Sequence, residues 1–127
     1  MEGHRLPIFL GVAVCPSGID MAQRTRIHEA VTRHEGVYYN KLERPVRVTH
    51  LLCSGEERTD KIKYAEKFNT TGEASIHIVW EEWFWDCLTF GGRFDESAYS
   101  IKNPRPERRA SPKGTFSLSF RFAWVFY

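Results

Sequence analysis

The sequence predicts a small α/β domain built on one parallel sheet, and three observations carry that reading. Four short apolar runs without polar alternation, Ile8 to Val14, Val37 to Tyr39, Arg47 to Leu52 and Ser75 to Val79, have the character of strands covered on both faces. Stretches of helical periodicity separate them, and strand–helix alternation is the pattern of parallel sheets. A length of 127 residues with 42% apolar content suits one domain with a modest core.

The first strand, Ile8 to Val14, runs into Cys15-Pro16-Ser17-Gly18, which places a hydroxyl and a glycine amide at its carboxyl end, where open parallel sheets bind ligands. Asp20 to His34 reads as a helix with Asp20 as N-cap and Ile27, Ala30 and Val31 as its apolar stripe. Gly36 is expected to end it in a left-handed conformation before the second strand. Glu43-Arg44-Pro45 breaks the chain ahead of the third strand. After the polar loop Ser54 to Arg58, Thr59 caps a helix through Phe68, with Ile62, Ala65 and Phe68 inward and Lys61 in its first turn. Asn69-Thr70-Thr71-Gly72 closes that helix, and the fourth strand follows. A last helix, Glu82 to Phe90, pairs Trp83 with Cys87 and Phe84 with Leu88 on its surface and stops at Gly91-Gly92.

Residues 1–101 therefore form the domain. Residues 102–115 are basic and proline-rich and read as a disordered linker. Residues 116–127 form an aromatic tail whose role stays open between docking on the sheet edge, belonging to a neighbouring unit, and an accident of the gene's ends.

A net charge of +2 is too mild for binding nucleic acid by bulk electrostatics, so any anion recognition must be local. Cys15, Cys53 and Cys87 are odd in number and far apart, which indicates neither a disulfide framework nor a zinc site and fits a reducing compartment. No leader pattern opens the chain, and no apolar run nears the roughly 18 residues of a membrane span. Enzymatic readings find no support. A cysteine-phosphatase loop needs an arginine six residues after Cys15, where Met21 stands, and no glycine-rich nucleotide loop or acid–base pair of aspartates is present. No catalytic residue, cofactor or metal ligand is expected.

Four features together resemble a BRCT domain: Val48-Thr49-His50-Leu51, Gly36 after the first helix, the helix holding Lys61 and Tyr64-Ala65, and Val79 with Trp83 leading into Asp86-Cys87-Leu88. Within that family, Leu6-Pro7, then Val14 to Ile19 and Arg24, are similar to the second module of replication-initiation and checkpoint scaffolds related to topoisomerase-binding protein, of the fungal type. The resemblance implies a single four-stranded parallel sheet in order 2-1-3-4, the first and third helices on one face and the second on the other. It also implies a phosphate site: Ser17 and the Gly18 amide at the end of the first strand, Lys61 at the start of the second helix, and Arg24 as a fourth group.

Each of these residues has a plainer reading. Ser17-Gly18 alone is a turn, and Lys61, followed by Lys63 and Lys67, is a solvated helix lysine. Arg24 alone is a surface arginine. Trp83 is read as core, His50 as a hydrogen-bonded structural histidine, and Trp80 and Trp85 as partly exposed. The chain is expected to be a nuclear, non-enzymatic module that binds a phosphorylated Ser/Thr peptide of a replication or checkpoint protein, beside a neighbouring BRCT module. The alternative is a BRCT module that binds no phosphate and associates with proteins or DNA ends; direct DNA binding is the weaker expectation, and no membrane contact is expected.

Overall fold

The computed structural model describes residues 7–55 and 58–106. Four strands, β1 (Ala13–Ser17), β2 (Val37–Tyr38), β3 (His50–Cys53) and β4 (His77–Trp80), form one sheet in order β2-β1-β3-β4 with every pairing parallel. Three helices connect or follow them: α1 (Met21–Arg33), α2 (Asp60–Thr71) and α3 (Glu82–Phe90). A short 3-10 helix, Glu96–Tyr99, comes after α3.

Alternation along the strands divides the core into two layers. Val14, Leu52 and Val79 face α1 and α3 and pack with Ile27, Val31, Trp83, Phe84 and Cys87. Cys15, Leu51 and Cys53 face the other way and pack with Ile62, Ala65 and Phe68 of α2. Trp83 is completely buried, its ring 4.4 Å from His50 and its indole N–H donated to the Phe94 carbonyl at 2.9 Å. No helix among the described residues is long and apolar enough to cross a membrane.

The helix ends follow the expected chemistry except at the start of α3, where no side chain caps the helix, and at the end of α1. Asp20 caps α1 by accepting from the Gln23 amide, and Thr59 caps α2 by accepting from the Ile62 amide. Gly72 and Gly91 end α2 and α3 in left-handed conformations. After α1, however, Glu35 takes the positive φ of 68° and Gly36 does not. Gly36 is needed for proximity: a Cβ there would lie 2.5 Å from Val31 Cγ2 and 2.9 Å from Phe9 Cβ.

The first strand starts later than its apolar run suggests. Pro7 to Gly11 turn instead, with Gly11 at φ +85°, and Phe9 leaves the sheet to stack on Phe84 at 4.9 Å. The strand continues through Pro16 because of where β2 ends. Carbonyls of Val12 and Val14 point to β2 and accept from Val37 and Tyr39, whereas those of Ala13 and Ser17 point to β3 and accept from Thr49 and Ser54. By alternation Pro16 faces the β2 side beyond the end of that strand, so its missing N–H forfeits no ladder bond. β3 and β4 likewise sit a few residues further along than expected.

Trp80, expected to be partly exposed, is buried, and its indole donates to the Asn103 carbonyl at 2.9 Å. That contact belongs to residues 102–106, which lie against the domain: Arg105 Nε is 3.0 and 2.9 Å from the two Glu82 carboxylate oxygens, and an Arg105 terminal nitrogen is 3.3 Å from Ser54 Oγ. The rest of the expected linker and the aromatic tail, residues 107–127, lie outside the described residues.

Candidate functional site

At the carboxyl end of β1 three of the four expected site residues come together. Ser17 is the last strand residue, and its hydroxyl is 2.5 Å from that of Thr59. Gly18 turns the chain at φ +72°, and a Cβ there would stand 3.0 Å from the Ser54 carbonyl, so a side chain is disfavoured both by conformation and by space. Among the described residues nothing accepts a hydrogen bond from the Gly18 amide.

Lys61 reaches back from the first turn of α2. Its ammonium donates to the Pro16 carbonyl at 2.8 Å and the Asn40 carbonyl at 2.9 Å. The Pro16 carbonyl is available because β2 has ended, so the proline that complicates the strand also provides the anchor for the lysine. These two carbonyls take two of the three ammonium protons, and the Cys15 thiol also draws on the ammonium, so a ligand here meets its charge and competes for its third proton. The plainer reading of a freely solvated lysine does not describe this geometry.

Arg24 stands apart from the other three. Its Nε donates to the Ile19 carbonyl at 2.9 Å, which holds the side chain along the start of α1. Its charge nevertheless reaches the same strand end. Burial pushes the Cys15 thiol up, and the Lys61 ammonium and the Arg24 guanidinium both oppose that shift. Two cations from two helices thus act on the carboxyl half of β1.

Thr59 was legible in the sequence only as a helix cap. Its hydroxyl accepts from the Ile62 amide and meets Ser17, so the two hydroxyls form a pair with one proton left over. If Ser17 donates to Thr59, the Thr59 proton is left over; if Thr59 donates, the Ser17 proton is. Its position two residues before Lys61 was the signal available. Ser17 itself is only 1% exposed, whereas Thr59 is half-buried. The resulting set of one hydroxyl proton, one free amide and the Lys61 ammonium can hold a small oxyanion, but contains no nucleophile activated by a base.

The opposite end of the sheet holds a second polar cluster. His50 Nε2 is 2.7 Å from Glu96 Oε2, its Nδ1 is 2.7 Å from Thr49 Oγ1, and its ring lies 4.8 Å from that of His77. Burial lowers the His50 pKa to about 4, against the opposing pull of Glu96. The expected reading of His50 as a hydrogen-bonded structural histidine matches these contacts. All three cysteines are buried and free.

The family model described as the BRCA1 C Terminus (BRCT) domain matches residues 4–88. The chain is similar to the S-M checkpoint control protein rad4 of Schizosaccharomyces pombe, 28% identical over 104 residues, 82% of this chain and 15% of that protein. It therefore spans about 15% of the length of that curated relative. Among solved structures, Rad4 BRCT1,2 in complex with a Crb2 phosphopeptide is 27% identical with a TM-score of 0.63, covering 75% of this chain and 47% of that one. Rad4 BRCT1,2 with an Mdb1 phosphopeptide gives the same values. The second XRCC1 BRCT domain, 17% identical with a TM-score of 0.60 over 76% of this chain and 92% of that one, shares the fold.

Proposed function

Because the chain belongs to the BRCT family, whose domains are in general interaction modules without catalytic activity, we propose that it is a phosphopeptide-binding scaffold module of nuclear replication-initiation, DNA-damage or checkpoint signalling. The Ser17–Thr59 hydroxyl pair, the Gly18 amide and the Lys61 ammonium bind the phosphate of a phosphorylated Ser or Thr, and Arg24 adds a fourth, more distant positive group. The observation that carries this reading is the placement of Lys61: its ammonium is fixed at 2.8 Å on the Pro16 carbonyl, next to Ser17 and Gly18. A phosphate brings about −1.5 to −2 charge at neutral pH and three acceptor oxygens, which matches three converging donors. The phosphopeptides bound by Rad4 BRCT1,2 support the same ligand class. That structure holds two BRCT units and this chain covers 47% of it, which supports a neighbouring BRCT module as a second partner.

A second reading has its own observation. Ser17 is 1% exposed with its hydroxyl engaged, which is also how a purely structural serine would sit in a module that assembles through its surfaces. Calorimetric titration with phosphorylated and unphosphorylated forms of one peptide separates the two. Phosphate-dependent binding that Lys61→Glu abolishes and Lys63→Glu leaves largely intact supports the proposal. Equal losses for both lysines, or no dependence on phosphate, contradicts it.

A further inference from the structure

We propose that His50, His77 and Glu96 form a binding site for a late first-row divalent cation, with zinc as the natural occupant, at the amino end of the sheet. The site does not involve the residues of the proposed phosphate pocket. His50 and His77 are the first residues of β3 and β4 and are direct partners in the parallel register. Glu96 opens the 3-10 helix that packs on β4. One ligand atom from each lies within 4.8 Å of the other two, on a groove at the protein surface.

Three features suit a metal. His50 Nε2 and Glu96 Oε2 already face one another at 2.7 Å across a proton, and a cation can take that proton's place. The other ring nitrogen is supported as a ligating histidine requires. With metal on Nε2 the ring proton moves to Nδ1 and is donated to Thr49 Oγ1 at 2.7 Å. The Thr49 proton then goes to the Ala13 carbonyl at 3.1 Å, and Thr49 continues to accept from the Ala13 amide at 2.8 Å. Every donor in that relay keeps an acceptor. His77 supplies the freedom needed to close the site, since it is exposed. Tetrahedral zinc with ligands at about 2.1 Å sets them roughly 3.4 Å apart, so the His50–Glu96 contact at 2.7 Å must open slightly and the wider separations, up to 4.8 Å, must close.

The ligand chemistry selects the ion. Two imidazoles and a carboxylate suit zinc and its late-transition neighbours; magnesium and calcium require oxygen ligands. Arg93 and Asp95 also border the groove with opposite charges, and Asp95 is occupied by the Ser97 amide and hydroxyl at 3.3 and 2.8 Å, so Glu96 sets the local sign. Three protein ligands leave one position open for water.

The test is titration of the full chain, free of any histidine tag, with zinc alone and separately with cobalt(II) and magnesium. Expected are saturable one-to-one zinc binding at micromolar concentration, a rise in melting temperature with zinc, and tetrahedral cobalt absorption lacking a thiolate charge-transfer band. Magnesium should do none of this. His77→Ala and Glu96→Gln should each weaken zinc binding about tenfold or more with circular dichroism unchanged. Absence of saturable binding, a thiolate band, or affinity unaltered in both variants overturns the proposal.

Discussion

Replacing Arg105 with alanine tests whether residues beyond Ile101 are part of the folded unit. Arg105 grips Glu82 with Nε at 3.0 and 2.9 Å and a terminal nitrogen at 2.8 Å, and the same nitrogen lies 3.8 Å from Glu81. The side chains of Glu81 and Glu82 are only 8% and 9% exposed, whereas that of Arg105 is 32% exposed. Glu81 has other donors, Gln23 and Trp85, each at 2.8 Å, but Glu82 depends on Arg105. Breaking a fully buried pair costs roughly 3–5 kcal/mol and a surface pair about 0–1 kcal/mol. With one partner a third exposed, the loss should be about 2–3 kcal/mol, because a carboxylate is left desolvated beside the start of α3. For a domain of this size that lowers the melting temperature by roughly 10–20 °C. Thermal unfolding followed by circular dichroism reads it directly. Arg105→Lys should fall between, keeping the charge and losing the fork, and Glu82→Gln in the Arg105→Ala background should recover part of the loss. A chain ending at Ile101 should lose at least as much, since Trp80 also loses the Asn103 carbonyl. If Arg105→Ala melts within a few degrees of the parent, the pair contributes little and does not hold residues 102–106 to the domain.

Further expectations follow from the core. Trp83→Ala should cost about 3–5 kcal/mol in denaturant unfolding, since the side chain is fully buried against His50 and Phe9 and satisfies the Phe94 carbonyl; a loss below 1 kcal/mol would contradict that packing. Gly36→Ala should cost roughly 1–3 kcal/mol by overpacking against Val31 and Phe9, and an unchanged melting temperature would show that the α1–β2 junction yields freely. His50 has a folded pKa of about 4 against an ordinary value of 6.5. The unfolded chain therefore binds more protons between those values, and stability should be full above about pH 6.5 and decline by roughly 3 kcal/mol as pH falls towards 4. Denaturant midpoints at stepped pH check this. A midpoint flat across that window would contradict the buried, neutral imidazole.

The fold was largely legible because its signals are local and agree with one another. Apolar runs, Asp20 and Thr59 as caps, and inward stripes on α1 and α2 each specify one element, and α3 spans Glu82–Phe90 as read from the sequence. Strand limits were less legible, because Ile8 to Gly11 are apolar for a different reason, to seat Phe9 on Phe84, and because Pro16 looks like a strand breaker until the end of β2 is known. Ser17, Gly18 and Lys61 could be picked out only through resemblance, since each alone has a commonplace reading. Thr59 was hidden behind its capping role. The pairing of Glu81 and Glu82 with Arg105 was not legible at all: adjacent charges are ordinarily solvated surface, and the partner comes from residues 102–106 returning to the domain. His50 was legible only as a hydrogen-bonded structural histidine, and its meeting with His77 and Glu96 was not, being set by strand register and not by spacing.

Backbone amide NMR during titration with a phosphothreonine peptide reads, residue by residue, the phosphate site proposed at the carboxyl end of β1. The Gly18 amide, which lacks an acceptor among the described residues, should move strongly downfield on binding, with accompanying shifts at Ser17, Thr59 and Lys61. The unphosphorylated peptide should leave these resonances in place, and Lys61→Glu should abolish the response. Shifts of equal size with both peptides, or shifts that spare Gly18 and gather elsewhere on the domain, would contradict the claim.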